Sequence, residues 1–285
     1  TIPVGSPVYG ISFNPKEDII ASSSKDGIIR LWTRQGSLIK VTKERHSNIA
    51  WRVDFSPDGE TIASASYDGT IKLWTKDGAF IRTIPVGSPV YGISFNPKED
   101  IIASSSKDGI IRLWTRQGNL ITKRKVGDSA VGDVSFSFDG KTLASASDDK
   151  TIKLLRRGAS WKNPFLWKEL KDHQAQVYSV NFSRNGAISS GGASDNKLKI
   201  WNPNGLVVKT FDCHGFVNYV DFSPNGKMVA CATDNKGLII WDVEPNPYQY
   251  ADLKGMLQYS CERLKNYLKS DQKNKGNLCP EGSIN

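Results

Sequence analysis

Residues 1–36 read TIPVGSPVYGISFNPKEDIIASSSKDGIIRLWTRQG. Residues 83–118 repeat this stretch without a single change, at an offset of 82 residues, which is two units of 41. A fixed period of about 40 residues is typical of arrays in which each unit buries its apolar faces against its neighbours. Identity over such a length records a recent or an engineered duplication.

Weaker copies of the same unit fill most of the remaining chain. Each copy carries all or part of V-x-x-V-x-F, then A-S-x-S-x-D, then I-x-L-W. The closing residue of successive copies recurs every 40 to 46 residues, at Trp32, Trp74, Trp114, Leu155, Trp201 and Trp241. The chain therefore divides into six units, at 1–40, 41–82, 83–122, 123–170, 171–210 and 211–250, followed by residues 251–285.

Within each unit the pattern predicts short strands. VYGISFN alternates like a strand, IIASSS and IIRLW follow it, and the breaks NPKED, KDG and RQG carry the Pro, Asp and Gly of turns. Four short strands per unit, with no helical period in the repeats, predict an all-β fold: a β-propeller of four-stranded antiparallel blades. We expect six blades, with seven as the alternative, and an open or paired ring as the alternative to a closed one.

The recurring tryptophan motif resembles that of the WD-repeat family. The family's Trp-Asp pair is kept at Trp241-Asp242, whereas other units have Trp-Thr or Trp-Asn. The resemblance implies a scaffold or sensor domain that binds protein or peptide partners. It also implies a buried structural network of four side chains, which the second unit supplies as His46, Ser64, Asp68 and Trp74.

The network is less complete in other units. Unit five keeps His173, Asp195 and Trp201, and the alignment places Gly191 at the serine position. In unit six, His214 lies one residue late and Asn235 replaces the Asp.

A Ser, His and Asp trio also suggests a hydrolase, because these residues activate a nucleophile when the serine is exposed beside oxyanion donors. Here the trio recurs at fixed strand positions, and the chain has no G-x-S-x-G turn. We therefore predict a protein that is not an enzyme. The three histidines are widely spaced, so no metal site is predicted, and no cofactor is expected.

Two positions per unit are expected at one mouth of the ring, where partners commonly dock in proteins of this family. The first follows the opening residue of the inner strand, and the second precedes the turn Asp. Together they give the predicted partner site of Tyr9, Lys25, Trp51, Tyr67, Tyr91, Lys107 and Tyr178. Tyr and Trp bury large areas with few rotatable bonds, as binding hot spots require. The alternative is that these aromatic side chains only plug the axial channel.

The net charge of +9 allows a second function. Basic residues concentrate in one stretch, at Lys123, Arg124, Lys125, Arg156, Arg157, Lys162, Lys168 and Lys171. Binding of nucleic acid through this stretch is the alternative to a protein partner. The insertion from Arg156 to Trp167 places Trp161 and Phe165 in a loop, which predicts either a second contact site or packing onto the rim of the propeller.

After Tyr250 the apolar residues follow helical spacing, which predicts an amphipathic helix and a flexible end over residues 251–285. Such an ending is similar to that of bacterial, particularly cyanobacterial, WD-repeat proteins. That resemblance implies a longer polypeptide carrying a signalling NTPase of the NACHT or NB-ARC class. No apolar run reaches the ~20 residues of a membrane helix, so no membrane association is predicted. We expect a cytoplasmic protein with four reduced cysteines: Cys213, Cys231, Cys261 and Cys279.

Overall fold

The chain folds into six antiparallel β-sheets that follow one another along the sequence, as predicted. A computed structural model describes residues 4–223 and 225–243. We number the sheets as blades one to six. Blade one contains β1 (Val8–Phe13), β2 (Ile19–Ser24), β3 (Ile29–Thr33) and β4 (Leu38–Val41). Blade two contains β5 (Ala50–Phe55), β6 (Thr61–Ser66), β7 (Thr70–Thr75) and β8 (Phe80–Pro85). Blade three contains β9 (Val90–Phe95), β10 (Ile101–Ser106), β11 (Ile110–Thr115) and β12 (Leu120–Lys125).

The remaining sheets have the same strand order. Blade four contains β13 (Val131–Phe136), β14 (Thr142–Ser147), β15 (Thr151–Arg156) and β16 (Phe165–Lys171). Blade five contains β17 (Val177–Phe182), β18 (Ile188–Gly192), β19 (Lys197–Trp201) and β20 (Val207–Asp212). Blade six has three described strands, β21 (Val217–Phe222), β22 (Met228–Thr233) and β23 (Gly237–Asp242). The predicted C-terminal helix lies outside the described residues. The described part contains no helix that is long and apolar enough to cross a membrane.

The turns between strands show why Asp and Gly recur at fixed positions. In blade three, Gly109 has a φ of +76° and donates its N–H to the carbonyl of Ser106. A positive φ is strained for residues with a Cβ, so glycine fits this position. The Asp108 carboxylate accepts the N–H of Ile110 at 3.1 Å, which stabilises the same turn. The KDG signature is thus a hairpin signal with a local physical cause.

Apolar side chains fill the spaces between neighbouring blades. We call the side of a blade that meets the preceding blade its leading face, and the opposite side its trailing face. In the space between blades two and three, the leading face of blade three contributes Val90, Ile93, Phe95, Ile102 and Trp114. The trailing face of blade two contributes Ala63, Ala65, Ile71, Leu73 and Ile84. All ten side chains are buried, so the stacking of blades forms the core.

Polar side chains tie neighbouring blades together near the axis. Asp54, on the inner strand of blade two, accepts the Ser12 hydroxyl from blade one and the Phe95 N–H from blade three. Burial raises the pKa of the Asp54 carboxyl to about 7. Asn14 and Asn96 donate their side-chain amides to carbonyls of the following blade, at Gly59 and Gly140.

The six blades form an arc around a common axis. Each of the inner strands β1, β5, β9, β13, β17 and β21 packs against the next one in this order. In the described part of the chain, no comparable packing joins β21 back to β1. The alternative of an open ring, rather than a closed one, therefore describes this structure.

The insertion in unit four packs onto the rim of the propeller at Trp161, one of the two aromatic residues that were expected in its loop. Trp161 is buried, donates its indole N–H to the Gly140 carbonyl at 3.1 Å, and packs against Phe136 at 5.2 Å between ring centroids. It joins the cluster that contains Leu155, the residue that replaces the closing tryptophan of this unit. The expectation that Phe165 lies in a loop is wrong: Phe165 begins β16, and its side chain is exposed.

Candidate partner-binding site at the mouth of the blades

The two predicted sets of mouth positions lie side by side. In each of the first four blades, the residue before the turn Asp donates its backbone N–H to the carbonyl just before the inner strand. Tyr67 reaches Ile49 in this way at 2.9 Å, and Lys25 reaches Pro7 at 2.8 Å. Since every inner strand begins at the same end of the axis, the register brings both sets to one mouth.

Four of the predicted aromatic residues form a continuous chain of ring contacts. The centroid of Trp51 lies 4.5 Å from that of Tyr9 and 6.2 Å from that of Tyr91, in edge-on geometry. Tyr67 lies 6.0 Å from Tyr91. We call Tyr9, Trp51, Tyr67 and Tyr91 the mouth patch. Its rings are half-buried, apart from the exposed Tyr67, and Lys25 and Lys107 are exposed on the same side.

Tyr178 has a different ring neighbour. It packs edge-on against Phe216 at 5.2 Å between centroids. Phe216 was not among the predicted site residues, although it directly precedes the inner strand of blade six. Burial raises the pKa of the Tyr178 hydroxyl, and the nearby Asp148 carboxylate raises it further. Burial also raises the pKa of Tyr91 to about 12, with contributions from Tyr67 and Asp148. Both phenols therefore stay neutral and can donate hydrogen bonds.

A charged network crosses the axis directly below the mouth patch. Arg52 lies over the Tyr219 ring at 4.6 Å, and its Nε lies 3.7 Å from Oδ1 of Asp133. Its Nη1 donates to the Tyr9 carbonyl at 3.0 Å. Asp133 accepts the Ser179 hydroxyl at 3.1 Å. These side chains come from blades two, four, five and six, so the network fixes four inner strands around the axis.

The third position of the inner strand carries this network. It holds Gly10, Arg52, Gly92, Asp133, Ser179 and Tyr219. The predicted site includes only the preceding position of the inner strand, so none of these six residues was predicted. The sequence does contain a signal for this network: Arg52 and Asp133 occupy equivalent positions of two inner strands, in which most residues are apolar or small.

The predicted structural network of blade two is a directional hydrogen-bond chain. Trp74 donates its indole N–H to Ser64 Oγ at 3.0 Å, and Ser64 Oγ lies 2.7 Å from His46 Nε2. His46 Nδ1 lies 3.0 Å from Asp68 Oδ2. Because a carboxylate only accepts, Nδ1 donates to Asp68, and Nε2 of the neutral ring accepts from Ser64.

The charges and the burial of this hydrogen-bond network disfavour a catalytic role for its side chains. Burial lowers the pKa of His46, with the Asp68 carboxylate opposing the shift. Burial alone would raise the pKa of Asp68, but hydrogen bonds from His46 and Thr70 outweigh this and hold it below its ordinary value. Ser64 is fully buried, so its hydroxyl has no access to a substrate. The hydrogen-bond network satisfies buried polar groups and fixes the loop that carries His46.

The assignment of Gly191 to the serine position of unit five is wrong. Ser190 holds that position: its Oγ lies 2.7 Å from His173 Nε2 and accepts the Trp201 indole N–H at 2.8 Å. His173 Nδ1 lies 2.8 Å from Asp195 Oδ2, which completes the network. The segment from Ser190 to Asp195 is one residue longer than the equivalent segment from Ser64 to Asp68 in blade two. That extra residue shifted the alignment.

In blade six, a disulfide bond takes the place of the hydrogen bond between the His and Ser side chains. Register places Cys213 at the position of His46 and Cys231 at the position of Ser64. The two buried cysteines form a disulfide, with Cα atoms 6.4 Å apart. The expectation of reduced thiols is therefore wrong for this pair, because equivalent positions of the repeat bring the two side chains together. Cys261 and Cys279 lie outside the described residues.

We expect that replacing His46 with alanine destabilises the protein by about 1–3 kcal/mol, because Asp68 and Ser64 each lose a buried hydrogen-bond partner. Thermal or urea unfolding of the variant measures the loss. His214→Ala is the control, since His214 is exposed and lies outside the network. A variant that unfolds normally but loses a hydrolase activity would instead support the catalytic interpretation.

One residue of the basic stretch, Arg156, lines a cavity at the end of the blades opposite to the mouth. The cavity has a volume of about 300 Å³ and lies beside the turns that end the inner strands of blades four and five. Arg156 lies over the Trp167 ring at 5.0 Å, and Arg184 lies over the Phe138 ring at 5.4 Å. Other members of the stretch have acidic partners, such as Lys125 with Asp128 at 2.5 Å.

Comparison with known protein families identifies the repeats. The model of the WD domain, G-beta repeat, matches residues 3–33, 36–75, 78–115, 120–155, 166–202 and 205–242. The chain belongs to the WD-repeat family. Each matched stretch contains strands of one or two adjacent blades, so the WD repeats cover the described fold almost completely.

Several curated WD-repeat chains align with part of the sequence. The COMPASS component SWD3 of Saccharomyces cerevisiae is 31% identical over 115 residues, 39% of this chain and 35% of that protein. Nuclear distribution protein nudF 2 of Penicillium rubens is 30% identical over 40% of this chain and 28% of its own length. Eukaryotic translation initiation factor 3 subunit I of Aspergillus oryzae is 25% identical over 46% of this chain and 38% of its own length.

The chain thus spans well under half the length of these relatives, with matched regions of 28% to 38%. All three are fungal proteins, and a transcriptional corepressor of Arabidopsis thaliana also matches, at 30% identity. The predicted resemblance to bacterial WD-repeat proteins finds no support among these relatives.

Proposed function

We propose that this WD-repeat chain is a non-catalytic scaffold or sensor domain that binds a protein or peptide partner at the mouth patch. The observation that carries the proposal is the unbroken chain of ring contacts from Tyr9 through Trp51 and Tyr91 to Tyr67. Aromatic residues of this kind dominate the binding energy of protein interfaces when they lie together near the centre.

The rings of the mouth patch pack against one another in the absence of a partner. Arg52 holds the backbone of Tyr9 from below, and each ring is supported by its neighbour. Preorganised side chains lose little conformational entropy on binding, so more of the contact energy appears as affinity. The indole N–H of Trp51 is buried and has no acceptor among the described residues.

The relatives support a role in assemblies. One is named as a component of COMPASS and another as a subunit of translation initiation factor 3. Membership of a complex requires surfaces that bind other proteins. We therefore propose a protein partner for this chain, with acidic groups that complement the exposed Lys25 and Lys107.

We expect that replacing Trp51 with alanine weakens partner binding at least tenfold, because truncation of a central aromatic residue costs about 2 kcal/mol or more. Proteins captured by the wild type from the source cell identify the partner, and direct titration gives the dissociation constants. Trp167→Ala is the matched control, since Trp167 is 41% exposed and lies at the opposite end of the blades. Lys162→Ala, in the basic stretch, should also change binding little.

Binding of nucleic acid at the opposite end is the second candidate function, because Arg156 and Arg184 lie over aromatic rings beside one cavity. Counterion release makes such binding weaken steeply between about 50 and 200 mM salt, whereas an aromatic hot spot barely responds. Weaker binding by the Arg156→Ala, Arg184→Ala or Lys162→Ala variant, together with a steep fall in affinity with salt, would establish this second function. The aromatic residues of the mouth patch would then only plug the channel.

Two further predictions from the sequence stay open. The cytoplasmic location is checked by fluorescence microscopy of the tagged full-length protein in the source cell. The signalling NTPase of the NACHT or NB-ARC class is checked by the full-length coding sequence.

A further inference from the structure

Ion pairs close three of the junctions between neighbouring blades at the end opposite to the mouth. In each case, the second residue after the closing position of the third strand is basic. It pairs with an acidic residue in the turn that ends the inner strand of the preceding blade. The pairs are Lys76 with Glu17, Arg116 with Asp58, and Arg157 with Glu99. The repeat thus places a charged bridge between blades at this point.

The junction between blades four and five lacks this bridge. The basic position holds Pro203, which has neither a charge nor a side-chain donor, whereas Asp139 keeps the acidic position of Asp58. The cavity of about 300 Å³ lies at this junction and is lined by both Asp139 and Pro203. All of its lining residues belong to blades four and five, which the structure describes in full. A cavity therefore takes the place of the basic side chain that fills the other three junctions.

Two arginines line this cavity without an acidic partner. Arg156 lies 5.0 Å from the centroid of the Trp167 ring, and Arg184 lies 5.4 Å from that of the Phe138 ring. Within the described part of the chain, neither guanidinium makes a hydrogen bond or an ion pair. A guanidinium that packs on the face of a ring keeps its N–H donors at the edge of its plane. Both arginines can therefore donate hydrogen bonds to a ligand in the cavity.

The lining carries a surplus of positive charge. Its only acidic residue is Asp139, against the two guanidiniums of Arg156 and Arg184. The Asp139 carboxylate accepts the Ser137 hydroxyl at 2.6 Å and the Lys141 N–H at 3.0 Å. Burial alone would raise the pKa of Asp139, but these hydrogen bonds and the nearby charge of Arg156 lower it overall. Because hydrogen bonds within its own turn already engage this carboxylate, the lining favours an anion over a cation.

We propose that this cavity binds a small organic phosphate monoester, with its phosphate group between Arg156 and Arg184. A phosphate monoester carries a charge of about −1.5 to −2 at pH 7 and presents three terminal oxygens. It can therefore accept hydrogen bonds from two guanidiniums at once. A carboxylate has two oxygens, which a single guanidinium can satisfy.

The rest of the lining suits the organic part of such a ligand. Leu154, Phe182 and Ile188 line the cavity and offer an apolar surface between the two blades. The volume lies at the lower end of the range for small-molecule sites, which begins at about 300 Å³. This site is separate from the mouth patch, and the proposal rests neither on a partner at the mouth nor on binding of nucleic acid.

Phenyl phosphate is a suitable probe, because it joins a phosphate monoester to one small ring. We expect isothermal titration calorimetry of the complete chain, without any partner, to show saturable binding at a single site. Phenol lacks the phosphate, and benzylammonium carries a positive charge. Both should bind at least about tenfold more weakly, since one hydrogen bond to a charged group contributes that much. Benzoate should also bind more weakly than phenyl phosphate.

Variants that remove one charge locate the site. Arg156→Gln and Arg184→Gln should each weaken the binding of phenyl phosphate by about tenfold or more. Their melting temperatures should change little, because both side chains are exposed. Lys162→Gln is the matched control: it removes one positive charge from the same unit, but Lys162 is exposed and does not line the cavity. Its affinity for phenyl phosphate should equal that of the wild type.

The proposal is overturned if phenyl phosphate shows no saturable binding, or if its affinity survives both arginine substitutions. Tighter binding of benzylammonium than of phenyl phosphate would also overturn it, because Asp139 would then select a cation. Single-stranded oligonucleotides of increasing length are titrated in parallel. If they displace phenyl phosphate and their affinity rises with length, the ligand is nucleic acid, and the second candidate function replaces this proposal.

Discussion

Replacing Arg52 with methionine is expected to destabilise the protein by about 3–5 kcal/mol, because it leaves the buried Asp133 without its cationic partner. Arg52 also lies over the Tyr219 ring and donates to the Tyr9 carbonyl, so the variant loses three contacts of one side chain. Chemical denaturation of the variant and of the wild type measures the loss.

The pH dependence of this loss identifies its cause. Burial raises the pKa of Asp133, and the Arg52 charge opposes that shift. In the variant the folded carboxyl therefore keeps its proton to higher pH than the unfolded one does. The destabilisation relative to the wild type should grow as the pH rises above the already raised pKa of Asp133 in the wild type, because the wild-type carboxyl then ionises in the folded state whereas that of the variant does not.

An exposed arginine provides the control. Arg34 pairs with Asp18 at 3.0 Å, and both side chains are exposed. Arg34→Met should cost about 1 kcal/mol or less, as surface ion pairs do. Equal losses of stability for the two variants would show that the charged network around Arg52 does not stabilise the fold. The double variant with Arg52→Met and Asp133→Asn should recover part of the stability.

The repeat carried most of the information that the sequence held about the fold. Its period gave six units, and its turns gave the order of strands within each one. The mouth patch followed from two positions per unit, because rotation about one axis brings equivalent residues to the same end. Tyr178 shows the limit of that reasoning: its ring packs on Phe216 and not on the other predicted aromatic residues.

Local departures from the period were harder to predict. One extra residue in a turn moved the serine position from Gly191 to Ser190. Cys213 and Cys231 are 18 residues apart, and only the register of the blade shows that they meet. Trp161 fills core space beside Leu155, a compensation between an insertion and a substitution that no pattern within one repeat contains.

The openness of the ring has no signal in the repeat itself. Blades one and three share one sequence over 36 residues, and the same apolar pattern is buried in one case and exposed in the other. The apolar pattern of a strand predicts which of its faces can be buried, but burial also requires a neighbouring blade that covers this face. The identity of these two stretches makes that distinction measurable at single positions.

Replacing Phe95 with alanine is expected to destabilise the protein by about 3–5 kcal/mol, whereas Phe13→Ala should cost less than about 1 kcal/mol. The flanking sequence is the same for both, so differences in strand propensity or in the unfolded chain contribute little. Phe95 is 6% exposed and packs between blades two and three, whereas Phe13 is 55% exposed at the end of the arc. Urea unfolding of each variant gives the two losses.

The trailing faces of the same two blades supply the control. Leu31 and Leu113 occupy equivalent positions and are both buried, at 0% and 2% exposed, because blades two and four cover them. Leu31→Ala and Leu113→Ala should therefore cost similar amounts, about 2–5 kcal/mol each. A large difference between the phenylalanine variants beside a small one between the leucine variants locates the asymmetry on the leading face of blade one. If Phe13→Ala proves as costly as Phe95→Ala, that face is covered in solution and the ring is closed.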